Sequence, residues 1–184
     1  MSLVKKVRQI ANKPLYTVFG SAAPRPGERD YEIARAVGRL IASKGFGVVN
    51  GGYGGVMDAS ARGASDVGGI SIGITIDGAK WSPSRRLTHV VPAPSHTDRL
   101  LALTELGDGY IVMPGGTGTL LELAFVWESF NKGLLNKRPL ILFGSGWNRV
   151  ADEIVAVQPW AEKSITRASS LDDLEQAFHQ LIHP

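Results

Sequence analysis

GYIVMPGGTGTLLELAFVWE, running from Gly109 to Glu128, is the stretch whose reading decides the fold of this chain. A short apolar run, Tyr110 to Met113, stops at Pro114. The small residues Gly115, Gly116, Thr117, Gly118 and Thr119 follow, and from Leu120 the apolar positions recur with helical period. Strand, glycine-rich turn and helix are expected in that order, with Glu122 in the first helical turn. Such a turn aims backbone N–H groups at whatever lies above the strand end, where the helix dipole favours an anion. A phosphate cradle needs no acid, so Glu122 beside it points to chemistry or to a second recognition task.

The same punctuation recurs on both sides of this stretch. Leu15–Phe19 is β-branched and aromatic and is bounded by Pro14 and Gly20, which predicts a strand. Residues 28–43 carry Ile33, Val37, Leu40 and Ile41 at helical spacing and end at Lys44-Gly45. A second strand is expected over 46–49, an alanine-rich helix to about residue 66, and a third strand over 70–76. Residues 77–86 read as a loop carrying Trp81 and Pro83. A strand over 87–91 and a helix capped by Ser95 or Thr97 precede the central strand. Beyond it come a strand over 140–143, a helix over 147–157, a short strand over 164–166 and a last helix over 171–182. Strands that are nearly continuous apolar runs, alternating with helices, indicate a parallel sheet covered on both faces. The expected architecture is a Rossmann-like α/β three-layer sandwich of six or seven strands. At 184 residues it forms one domain, with residues 1–13 frayed or folded into a short helix.

Composition narrows the function. The chain has no cysteine, which excludes disulfides and thiolate chemistry. Its four histidines show no close ligand spacing, except His179 and His183 at a chain end where fraying is expected, so no metal site and no cofactor are expected. The net charge of +3 is spread over separated clusters, Lys5-Lys6-Arg8, Arg85-Arg86 and Lys137-Arg138, and lacks the continuous basic stripe of a nucleic-acid binder. No apolar run is long enough to cross a membrane and no signal sequence is evident. The expectation is a soluble cytoplasmic protein with a small-molecule partner.

Three small-residue turns fall at strand carboxyl ends, where ligands bind in such sheets. They are Gly20-Ser21-Ala22-Ala23, Asn50 to Gly55, and Pro114 to Thr119. None has the G-x-G-x-x-G spacing of a dinucleotide site, and no Walker lysine follows. Arg99 lies in the first turns of the helix that feeds the central strand. It is either a surface residue paired with Asp98 or Glu105, or a phosphate clamp.

The block Pro114 to Glu122 resembles the PGGxGTxxE signature of the LOG ("lonely guy") family, the cytokinin riboside 5′-monophosphate phosphoribohydrolases, many of them labelled lysine decarboxylase-like. Gly51-Gly52-Tyr53-Gly54-Gly55-Val56-Met57 resembles the family's glycine-rich turn, and Val18-Phe19-Gly20-Ser21 its first strand and turn. The resemblance covers roughly residues 15–145. It implies a homodimer that hydrolyses the N-glycosidic bond of a nucleoside 5′-monophosphate. It assigns catalysis to Arg99 and Glu122. It assigns phosphate or nucleotide binding to Gly20, Ser21, Gly51, Gly52, Gly55, Met57, Pro114, Gly115, Gly116, Thr117, Gly118 and Thr119. The chain departs from the pattern at Leu100, where a lysine is usual, at Ser21, near the usual place of a cysteine, and at Asn50 and Asp58, where glycines are usual. In these features it resembles a bacterial branch that includes molybdenum-cofactor carriers. Decarboxylation finds no support, because Lys80, Lys132 and Lys137 stand in no recognisable Schiff-base context.

The helix after the signature carries Leu120, Leu121, Leu123, Ala124, Phe125, Val126, Trp127 and Phe130, and is apolar almost all round. It is expected to be buried on more than one side, either centrally in the monomer or against a second subunit, and the dimer implied by the resemblance makes it a candidate for part of the interface. Trp147 and Trp160 read as core or rim residues. Two functions fit the turns: a phosphoribohydrolase acting on a nucleotide, and a non-catalytic binder or carrier of a phosphorylated ligand.

Overall fold

The computed structural model describes residues 2–182, with side chains to residue 178. Among the described residues, seven strands alternate with helices, except that the third and fourth follow one another directly. The first half contains α1 (Leu3–Ala11), β1 (Leu15–Phe19), α2 (Arg29–Ser43), β2 (Gly47–Asn50), α3 (Val56–Ser65), β3 (Ser71–Ile76) and β4 (His89–Ala93). The second contains α4 (His96–Leu106), β5 (Gly109–Val112), α5 (Thr117–Asn131), β6 (Leu140–Phe143), α6 (Ser145–Val157), a short 3-10 helix (Pro159–Ser164), β7 (Thr166–Ala168) and α7 (Leu171–Ile182). All pairings are parallel and the order across the sheet is β4-β3-β2-β1-β5-β6-β7. The chain winds outward from β1 to β4, then returns to place β5 on the other side of β1. That reversal is the switch point at which a doubly wound sheet opens a crevice.

Strand residues alternate between two cores. Leu15, Phe19, Tyr110, Val112 and Leu142 pack under α1, α4, α5 and α6. Tyr16, Val18, Ile111, Ile141 and Phe143 pack under α2, α3 and α7. The three-layer sandwich follows from that alternation, since each strand has to satisfy both faces at once.

The structure moves several expected boundaries. The first residues form a docked helix, with Val7 and Ala11 buried, so of the two expectations for 1–13 the helix is the one realised. α5 starts at Thr117, two residues before the start expected at Thr119, which puts Glu122 in its second turn. β4 lies two residues later than expected and β7 follows a 3-10 helix that the sequence did not reveal. The C-terminal pair His179 and His183 falls outside the described side chains. Among the described residues, no helix is long and apolar enough to cross a membrane, and no cluster of three or more potential ligands could hold a metal ion.

Candidate functional site

Hydrogen bonds draw the three turns together at the carboxyl edge of the sheet. β1 and β5 end in register, Phe19 opposite Val112. Just beyond, the Ser21 N–H donates to the Pro114 carbonyl (3.1 Å), and the Ser21 carbonyl accepts from the Val56 N–H (2.8 Å). Ser21 therefore ties the first turn to both others. Gly55, at φ 66°, is needed at this junction: a Cβ there would lie 2.2 Å from the Ser21 carbonyl oxygen.

Above the junction is a cleft of about 320 Å³. Of the residues expected in the site, Gly20, Ser21, Gly51, Met57, Arg99, Gly116, Thr117, Gly118, Thr119 and Glu122 line it. Gly52, Gly55, Pro114 and Gly115 do not. Gly52 backs onto Thr75 and Gly73, Gly55 packs on Ser21 and Ala22, and Pro114 and Gly115 face neighbouring hollows beside Phe143, Trp147 and Glu28. These four shape the turns from behind.

The floor of the cleft is the N-terminus of α5. Its cap residue is Gly116, which has no side chain to satisfy the first N–H groups, and no acidic residue lies in the first turn. Those N–H groups are left free for an anion at the positive end of the helix dipole.

One wall is the pair Arg99 and Glu122. Arg99 does not pair with Asp98 or Glu105 at the surface. Its side chain is only 11% exposed, its Nε donates to the Ile74 carbonyl (2.8 Å), and its Nη1 lies 3.7 Å from Oε1 of Glu122, which is 13% exposed. Gly51 makes room for it, because a Cβ there would sit 1.7 Å from Nη2. The separation from Glu122 is too long for a hydrogen bond, so the carboxylate gains Coulombic support without a donor. Burial pushes the Glu122 carboxyl from the ordinary value of 4.5 up to about 7, against the opposing pull of Arg99. Burial also lowers the guanidinium, against the pull of Glu122.

The positions that depart from the glycine pattern have structural roles. Asn50 is fully buried. Its Nδ2 donates to the Met57 carbonyl (2.9 Å) and Ser60 Oγ (3.1 Å), and its Oδ1 accepts the Gly52 N–H (2.9 Å). It cross-braces the turn from within. Asp58 accepts from the Tyr31 hydroxyl and from Ser84 Oγ (2.5 Å), joining α2 and the 77–88 loop to α3. Leu100 is half-buried.

Sequence reasoning missed Tyr53 and Trp81. The Arg99 guanidinium carbon lies 5.9 Å from the centroid of the Tyr53 ring, which meets Trp81 edge-on. An aromatic residue amid four glycines and an asparagine was a signal for Tyr53. Trp81, 28 positions later, gave none. Trp147 is core, its Nε1–H donating to the Met113 carbonyl (2.8 Å), whereas Trp160 is 61% exposed.

Comparison with known proteins bears on the fold and the family. The chain is 33% identical over 130 residues to a cytokinin riboside 5′-monophosphate phosphoribohydrolase of Rhodococcoides fascians, covering 68% of this chain and 66% of that one. It is 31% identical over 131 residues to a protein of the same name from Mycobacterium marinum, covering 68% of each. The chain thus spans about two thirds of the length of these relatives. Among solved structures, the molybdenum cofactor binding protein of Rippkaea orientalis superposes with a TM-score of 0.76 at 25% identity, over 92% of this chain and 98% of that one. The model of the SLOG cluster4 family matches residues 13–174. The family model covers most of the chain, the fold matches that of the cofactor-binding protein, and the chain belongs to the SLOG cluster4 family.

Proposed function

We propose that this protein is a phosphoribohydrolase that hydrolyses the N-glycosidic bond of a nucleoside 5′-monophosphate to free base and ribose 5-phosphate. The observation that carries this reading is a buried carboxylate without a hydrogen-bond donor, facing a cleft whose floor is an uncapped helix N-terminus. A phosphate on the N–H groups of Thr117, Gly118 and Thr119 would fix the ribose over Glu122. As the C1′–N bond breaks, its electron pair leaves with the base, which takes up a proton. The positive charge growing on the sugar is stabilised by the carboxylate, which also accepts the proton of the water that attacks C1′. A carboxyl group raised to about 7 suits a general base near neutral pH. Arg99 holds the carboxylate in place and keeps its ionised form accessible. The relatives named as phosphoribohydrolases support this reading.

The likeness to a molybdenum cofactor binding protein favours a second reading, a carrier that holds a phosphorylated ligand without turnover. Base release from a panel of nucleoside 5′-monophosphates, with Glu122→Gln as control, separates the two. Release that disappears in the variant supports the hydrolase. Tight binding with no release from any nucleotide selects the carrier.

The protein is further proposed to act in the cytoplasm as a homodimer. α5 buries Leu123, Val126, Trp127 and Phe130 within the subunit but exposes Leu120 and Leu121. Leu120, Ala124 and Ile154 line a shallow apolar groove between α5 and α6, and Val157 is exposed at the end of α6. A second copy packed there would cover these side chains.

A further inference from the structure

A second and wider cleft, about 930 Å³, continues from the first. Ala22, Met57, Arg99 and Gly118 line both, so the two form one channel bent around the arginine. Along it lie Glu122, Arg99, Tyr53 and Trp81. The steps are 3.7 Å from carboxylate to guanidinium, 5.9 Å from guanidinium to the Tyr53 ring, and 5.9 Å from that ring to Trp81. A ligand with its phosphate on α5 and its sugar at Glu122 would carry its ring system past Arg99 to these aromatics.

The far wall is built, not incidental. Tyr53 is fixed by its hydroxyl, which accepts the Ile76 N–H (2.9 Å). Trp81 is on the 77–88 loop, which is tied back by the Ser84 N–H donating to the Gly52 carbonyl (2.9 Å) and by Ser84 Oγ donating to Asp58. The loop thus hangs on the glycine turn itself, yet leaves the indole 67% exposed at the mouth of an apolar cleft. A held, exposed tryptophan edge-on to a fixed tyrosine offers a planar ring a stacking face.

The polar groups on this wall lean toward donation. Lys80 and Arg99 can only donate, the Tyr53 hydroxyl already accepts and has its proton to give, and Ser82 and His96 can donate or accept. No carboxylate or carboxamide side chain lines the cleft. A ring edged with carbonyl oxygens finds partners here, whereas an exocyclic amine has no strong side-chain acceptor, and unpaired polar groups cost affinity.

We propose that the cleft between Tyr53 and Trp81 is the recognition subsite for the ring end of the ligand, and that its donor rim selects an oxo-edged purine, such as hypoxanthine or xanthine, over the amino-edged adenine. This rests on the nucleotide reading above and not on turnover.

The test is calorimetric titration of Glu122→Gln protein, which prevents consumption of ligand, with ribose 5-phosphate, AMP, inosine 5′-monophosphate and xanthosine 5′-monophosphate. The oxo nucleotides are expected to bind at least about tenfold tighter than AMP. Adding Lys80→Ala should narrow that gap to within about threefold. Adding Trp81→Ala should weaken all three nucleotides by about fivefold or more and leave ribose 5-phosphate unchanged. Both side chains are exposed, so these variants are expected to fold. AMP binding as tightly as the oxo nucleotides, or a preference that survives Lys80→Ala, overturns the proposal. Ribose 5-phosphate bound with no gain from any base sinks this subsite alone. Failure of all four compounds to bind sinks the nucleotide reading and this inference with it.

Discussion

Glu122 concentrates the cost and the use of the site in one side chain. Its carboxyl is raised from 4.5 to about 7 by burial, so the ionised form is disfavoured in the folded state. Stability associated with this group is therefore full below pH 4.5 and is lost as pH rises through about 7, a difference of roughly 3 kcal/mol. Glu122→Gln keeps the shape and removes the charge. Base release should vanish, while the melting temperature at pH 8 should rise above that of the parent and match it at pH 5. Equal melting temperatures at pH 8 would mean that the carboxylate is better solvated than its burial implies. The same titration should govern rate: kcat/KM should increase about tenfold per pH unit below roughly pH 7 and level off above it. A flat profile from pH 5 to 8 would remove Glu122 from the role of base. Gly51 is the complementary residue. Gly51→Ala would put a methyl group 1.7 Å from Arg99 Nη2, and the flexible guanidinium would give way before the backbone. The expected result is a drop in kcat/KM of about a hundredfold with melting nearly unchanged.

At the scale of elements, the sequence made some features legible and hid others, for physical reasons. The three turns were readable because short apolar strands, glycines and helical periodicity follow one another within about ten residues. Glu122 stood out as an acid beside an anion turn and Arg99 by its place ahead of the central strand, the family resemblance implied their catalytic roles, and the packing of Arg99 across Gly51 then explained the glycine. The start of α5 was misread because Thr117-Gly118-Thr119 has poor intrinsic helix propensity. The first helical turn forms there anyway, beneath the cleft, where its free N–H groups face the site. The 3-10 helix over Pro159–Ser164 has no periodic apolar pattern, and part of its support is tertiary: the Trp127 Nε1–H donates to the Ala161 carbonyl (3.0 Å). Tyr53 and Trp81 met only because Asp58 and the Gly52 carbonyl hold the 77–88 loop, a long-range tie that no local pattern announces. That tie is testable. Asp58→Ala should leave the sheet intact but release the loop, so tryptic cleavage at Arg85 and Arg86 should accelerate by about tenfold or more. Unchanged cleavage would show that the Ser84 N–H bond to Gly52 and the bonds of Arg86 and Thr88 to Ser71 secure the loop without Asp58.

Across the whole molecule, four of the large apolar side chains left exposed among the described residues, Leu120, Leu121, Ile154 and Val157, lie on α5 and α6, the first two on the helix whose N-terminus floors the cleft. Leu120→Glu with Val157→Glu should convert a dimer into a monomer by sedimentation, at little cost to subunit stability because both positions are exposed. A parent protein that sediments as a monomer would instead leave this face without a partner of its own kind. The order β4-β3-β2-β1-β5-β6-β7 has a consequence for synthesis as well. β1 is made before β2, β3, β4 and β5, yet its second neighbour is β5, and Tyr16 pairs with Gly109. At ribosomal speeds the 92 intervening residues take about 5 to 20 s. Through that interval the nascent chain carries Leu15–Phe19, an apolar strand with one open edge, able to pair with the same strand of a neighbouring nascent chain. Slower initiation or lower temperature during expression, which spaces nascent chains apart, should therefore raise the yield of folded protein more than any change to its finished surface.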